Sequence, residues 1–211
     1  MKNYGKLTAG IIAGWFIFAL TASALTLFKN PDRVGIAVGL AALIPIVAFS
    51  LWFAASKDFR RFALSLNPRI LTLVQTWRIG GFVFVLLESR GILPAIFALP
   101  AGYGDMAIGA TATLVAWQLS NPGHRNSFIL WQALGMADLI MAVSLGTTAG
   151  LLSPHRVSMV PLTVLPLSLI PTFVVPLLFI FHVICIAQAR VWKAASGRIA
   201  QAASPAQHFA A

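Results

Sequence analysis

Six stretches of this chain each run for roughly 20 residues with almost no charge: residues 8–28, 34–55, 70–87, 101–119, 127–147 and 164–189. Three contain no charged residue at all, and three contain one each, namely Arg78, Asp105 and Asp138. A helix needs about 20 apolar residues to cross a hydrocarbon core about 30 Å thick. Lipid offers no partner to a backbone amide, so the segment must satisfy its own hydrogen bonds as a helix. Only 9% of the residues are charged, against about 25% in a soluble domain. The expected fold is all-α: a polytopic membrane protein with six transmembrane helices over residues 1–193.

Basic residues set the orientation. With six spans, one side receives Lys2, Lys6, Lys57, Arg60, Arg61, Arg69, Arg125, Arg190, Lys193 and Arg198. The other side receives Lys29, Arg33, Arg90 and Arg156. Lys and Arg concentrate on the cytoplasmic side of membrane proteins, so both termini are expected there. Small size and short loops suit a bacterial inner membrane. The net charge of +10 is then a matter of anionic headgroups. No extended basic domain exists to carry nucleic acid, and the expected partner is the lipid bilayer.

The first stretch has a rival reading as a signal peptide, with Lys2 and Lys6 ahead of an apolar run and Ala22-Ser23-Ala24 as a cleavage site. The run continues uncharged to Phe28, which favours an uncleaved helix. Residues 56–68 carry Phe59, Phe62 and Leu66 at helical spacing between basic residues, the pattern of an interfacial amphipathic helix. Residues 91–100, bracketed by Pro94 and Pro100, are too short to span and read as an interfacial or re-entrant turn. Residues 194–211 read as a flexible cytoplasmic tail.

Packing signals are of three kinds. Gly10 with Gly14, and Gly35 with Gly39, form GxxxG pairs that let backbones approach, within the chain or in a homo-oligomer or another membrane partner. Ala101, Gly102, Asp105, Gly109, Ala112 and Ala116 fall near one helical face, a close-packing seam. Pro166, Pro171 and Pro176 are expected to kink the last span.

The intramembrane charges are the sharpest lead. Each costs roughly 2.5–3.5 kcal/mol to insert at a helix centre, so mutual compensation is expected. Arg78 and Asp138 lie about halfway along their stretches, and Asp105 about five residues outward of its midpoint, roughly 7 Å. A cluster of Arg78, Asp105 and Asp138 follows, with Gln75 as a hydrogen-bonding member. Two carboxylates against one guanidinium leave a surplus acid that suits proton or cation handling, while Arg78 alone would suit an anionic substrate. His182 is the one histidine inside a span. A bis-histidine haem would need a second, so His182 is expected to bond a neighbouring helix rather than ligate a metal, and no cofactor is expected. Cys185 stands alone and builds neither a disulfide nor a cysteine metal site.

The leading functional expectation is a small transporter or permease-like protein. An accessory subunit or scaffold comes second, and a membrane enzyme or haem protein third. No catalytic motif of a hydrolase, metalloprotease or nucleotide-binding protein is present in the sequence.

Overall fold

The computed structural model describes residues 4–29, 36–152 and 158–202, and all the regular structure among them is helical. In chain order the helices are α1 (Tyr4–Ala24), α2 (Ile36–Ala55), α3 (Lys57–Ser65), α4 (Pro68–Leu73), a 3₁₀ segment (Val74–Gly81), α5 (Phe82–Ser89), α6 (Ala95–Gln118), α7 (Arg125–Leu152) and α8 (Val175–Ala202). Five helical units are long and apolar enough to cross a membrane: Tyr4–Ala24, Ile36–Ala55, Pro68–Ser89, Pro122–Gly150 and Ile170–Trp192.

The helix α6 is as long as these, at 24 residues, but less apolar, since Gly102, Tyr103, Gly104 and Asp105 interrupt it. It packs against α4, the 3₁₀ segment, α5 and α7. Its small-residue face is buried throughout, with Ala101, Gly102, Gly109, Ala112 and Ala116 all enclosed. A helix lined by protein need not be as apolar as one lined by lipid.

Several local expectations are corrected. Residues 91–100 are not all turn, and no re-entrant loop forms there, because their second half is helical. The chain turns at Gly91, whose φ of 67° suits a residue without Cβ, and α6 then starts at Ala95 with Pro100 inside it. The stretch 70–87 is not uniformly α-helical, because Val74–Gly81 tightens to 3₁₀. The stretch 164–189 is not one kinked helix. Pro166 precedes the helical part, Pro171 lies in a π-turn at Ile170–Val174, and Pro176 is the second residue of α8. The helix α8 continues to Ala202, into what reads as tail, and 203–211 lie outside the described residues.

Proline chemistry explains one contact across the bundle. Pro176 has no N–H to give to the carbonyl four residues before it, that of Thr172. The Trp15 indole Nε1 donates to that carbonyl at 3.2 Å, which docks the middle of α1. The elbow between α3 and α4 is held by local caps. Ser56 accepts from the Phe59 amide at 3.2 Å, and Asn67 from the Arg69 amide at 2.9 Å, with Pro68 as the first residue of α4. Gln188 of α8 donates to the Leu66 carbonyl at 2.6 Å and ties the elbow to the bundle.

Gly10, Gly14 and Gly39 make no close approach among the described residues. A Cβ added at Gly10, Gly14 or Gly39 would meet nothing within 4 Å, and Gly35 lies outside the described residues. The close approaches are made instead by Gly81, Gly102, Gly104, Gly109 and Gly135.

Two apolar cores result. One gathers Leu71, Ile108, Val115, Phe128, Trp131 and Ile184 toward the α3–α4 elbow. The other gathers Phe84, Leu93, Phe97, Met159 and Leu162 at the opposite end. Arg78, Asp105 and Asp138 lie between them.

A buried Arg–Asp–His cluster

Arg78 sits in the 3₁₀ segment and is only 3% exposed. Its Nε donates to Asp105 of α6 at 2.7 Å, and its Nη2 donates to Asp138 of α7. Its Nη1 donates to the Gly135 carbonyl at 3.2 Å and faces His182 Nε2 at 3.4 Å. Four contacts thus engage a group with five N–H donors. Such saturation is what a charge needs away from water, because an unpaired buried ion is far costlier than a paired one.

The cluster brings Arg78, Asp105 and Asp138 together. Because α6 begins at Ala95, Asp105 lies near the helix middle rather than five residues outward of it. Gln75 is buried but separate: its Nε2 donates to the Leu178 carbonyl at 3.2 Å, not to either carboxylate. Its Oε1 has no partner among the described residues.

His182 joins the cluster from the middle of the Ile170–Trp192 span. Its Nδ1 lies 2.5 Å from Gln132 Oε1, which only accepts, so Nδ1 carries the proton. Its Nε2 therefore accepts, which suits the guanidinium N–H in front of it. Gln132 Nε2 donates in turn to Thr72 Oγ1 at 3.1 Å, and Thr72 donates to the Pro68 carbonyl at 2.8 Å. Every donor along this line points the same way, from Arg78 to the start of α4. Both ring nitrogens of His182 are engaged, one by a cation, so no lone pair is left for a metal or haem. Among the described residues no group of His, Cys, Asp and Glu could hold a metal ion.

Gln132 and Thr72 escape a reading based on charge alone, since neutral amides and hydroxyls are tolerated in spans. A signal does exist. Thr72, Gln75 and Arg78 recur every third residue in a mainly apolar stretch, the repeat of a 3₁₀ helix. Gln132, Gly135 and Asp138 repeat the spacing on α7.

Glycines make the room. A Cβ at Gly135 would lie 2.6 Å from His182 Nε2, one at Gly104 2.7 Å from the Asp138 carboxyl carbon, and one at Gly109 2.9 Å from the Arg78 carbonyl carbon. The Asp105 Cβ occupies the equivalent space at Gly81. The polar groups therefore stand where side chains would otherwise be.

Asp105 has a second face. It lines a cavity of about 90 Å³ with Val38 and Ala42 of α2, Leu139 and Gly146 of α7, and Pro171. It is the one charged residue on that wall, and Thr147 and Thr163 supply the hydroxyls. Asp138 Oδ1 is buried without a hydrogen-bond partner among the described residues. Trp131, which donates to Thr111 Oγ1 at 2.9 Å, packs its ring 5.9 Å from that of His182.

No curated protein and no solved structure matches the chain. A family model described as "Domain of unknown function (DUF8737)" matches residues 31–190, a range that holds the whole cluster and leaves α1 outside. The chain accordingly belongs to that family, Domain of unknown function (DUF8737).

Proposed function

We propose that this is a small permease-like membrane protein that passes a small cation or a proton by way of Asp105. The observation that carries this reading is the double exposure of Asp105, which pairs with Arg78 on one side and faces a cavity on the other. With His182 neutral, one guanidinium and two ionised carboxylates carry a net charge of −1. Burial makes such a surplus costly, and a proton or a small cation entering the cavity relieves it. The engaged state of Arg78 argues against its use as a receptor for an anionic substrate.

The proposal places six spans in a bacterial inner membrane, with α6 as the fourth and both termini in the cytoplasm. At 1.5 Å per residue the 24 residues of α6 extend about 36 Å, enough to cross. The scaffold reading stays in competition through the His182–Gln132–Thr72 line, which ties three spans together without reaching the cavity. In that reading the open faces at Gly10 and Gly14 would receive a partner helix.

The test is flux into liposomes loaded with a pH-sensitive dye, with methylammonium outside and an imposed potential. Wild-type protein should move protons or methylammonium above the level of empty liposomes. Asp105→Asn keeps the size of the side chain and should abolish that flux while melting as a folded protein. Flux at the empty-liposome level from folded wild type, or unchanged flux in Asp105→Asn, overturns the reading.

A further inference from the structure

A second and larger cavity lies beneath α1, away from the cluster. It encloses about 760 Å³, several times the size of an apolar cavity of about 150 Å³ that stays dry and takes up benzene. Its walls come from α1, α2, α3, α4 and α8, and among the described residues Thr8 is the only one on them with a polar side-chain group besides the indoles of Trp15 and Trp52. The helix α1 is held at two points and spans the gap between them. At one end Tyr4 packs on Trp52, Phe59 and Phe62 with ring centroids 6.0–6.5 Å apart. Farther along, Trp15 reaches the Thr172 carbonyl and the Phe173 ring.

We propose that this cavity holds an acyl chain of an anionic phospholipid, with the headgroup among Lys6, Lys57 and Arg61. Three observations fix the occupant. The cavity runs along α1 from Gly5 to Trp15, about 15 Å at 1.5 Å per residue, which is half of a hydrocarbon core of about 30 Å. That is the depth of one leaflet. Lys6, Lys57 and Arg61 are exposed at the shallow end, where Asp58 offsets only part of their charge. Arg60 is not among them, because it caps α2 through the Phe53 and Ala54 carbonyls. Finally, the Thr8 hydroxyl on the cavity wall is buried and has no partner among the described residues. It lies one helical turn below Tyr4, the level at which a lipid ester carbonyl would accept from it. The helix α1 thus covers a lipid site whose other walls belong to the matched family region.

The test is native mass spectrometry of the full chain in a non-ionic detergent, offered equal amounts of phosphatidylglycerol and phosphatidylcholine with identical acyl chains. Wild type should retain phosphatidylglycerol at one per chain, with a preference of roughly tenfold from the basic residues. Lys6→Gln with Lys57→Gln and Arg61→Gln should bring the two lipids to equal retention. Ala9→Phe with Ala48→Phe fills the cavity and should remove the adduct. Equal retention of both lipids by wild type, an adduct that survives the filled variant, or a second protein chain in place of lipid overturns the proposal. Should the filled variant fail to fold, phosphatidylglycerol with brominated chains, added at one per protein, gives the answer without it. Wild-type fluorescence should fall more than that of Trp15→Phe, and equal quenching overturns the proposal.

Discussion

Arg78 is bounded by two carboxylates, a backbone carbonyl and a histidine, and its removal would strand Asp105 and Asp138 together. Breaking a buried ion pair from one side costs about 3–5 kcal/mol in soluble proteins, with smaller values in membranes because the unfolded chain also finds partners there. Arg78→Ala should therefore lower the melting temperature in detergent well below that of Arg61→Ala, whose ion pair with Asp58 is at the surface. Equal melting temperatures would contradict the cluster. The neutral line through His182 makes a softer demand. His182→Gln keeps one donor and one acceptor and should melt closer to wild type than His182→Leu, which leaves Gln132 Oε1 and an Arg78 N–H unsatisfied.

Among the elements, α6 and the 3₁₀ segment stand out for how closely they meet. Their contact depends on Gly102 and Gly109 facing Gly81 and the backbone of Arg78 and Ile79. Both elements must shift if a side chain is inserted there. Gly109→Ala is expected to destabilise by about 1–3 kcal/mol, the usual cost of overpacking. Gly10→Ala in α1 meets open space and should be neutral or slightly stabilising, since alanine favours a helix by about 1 kcal/mol over glycine. Thermal unfolding of the two variants side by side checks this, and a similar loss in both would remove the distinction. The 3₁₀ geometry also explains how Gln75 and Arg78 came to share a face, since a period of three stacks residues that an α-helix would fan out.

At the scale of the molecule, the topology turns on α6 crossing the membrane. If it does, six spans return the C-terminus to the side of the N-terminus, and the basic bias puts both in the cytoplasm. If it does not, five spans leave the termini on opposite sides. Reporter fusions at each end separate the two outcomes, and opposite sides would overturn the six-span arrangement. The helix owes its ambiguity to the buried small-residue face it turns to the 3₁₀ segment, α5 and α7. Hydropathy measures what a segment offers to lipid, whereas most of the small-residue face of α6 touches protein.

The scarcity of charge, the number and length of the apolar stretches, and the presence of single charges at Arg78, Asp105 and Asp138 were all legible in the sequence. Transfer between water and lipid is nearly additive along the chain, so a count of residues reaches it. Position along a helix is legible too once its ends are known, and Asp105 was displaced because α6 starts at Ala95 rather than at residue 101. Azimuth and adjacency are different in kind. Whether Arg78 meets Asp138, whether His182 turns toward Gln132 or toward lipid, and whether Gln75 joins the carboxylates depend on the rotation of each helix against all its neighbours. That rotation is set by where glycines permit contact and where prolines break the helical ladder. The sequence pointed to Gly10 and Gly14 and passed over Gly104 and Gly135, and only the packed structure decided which of them another group would fill.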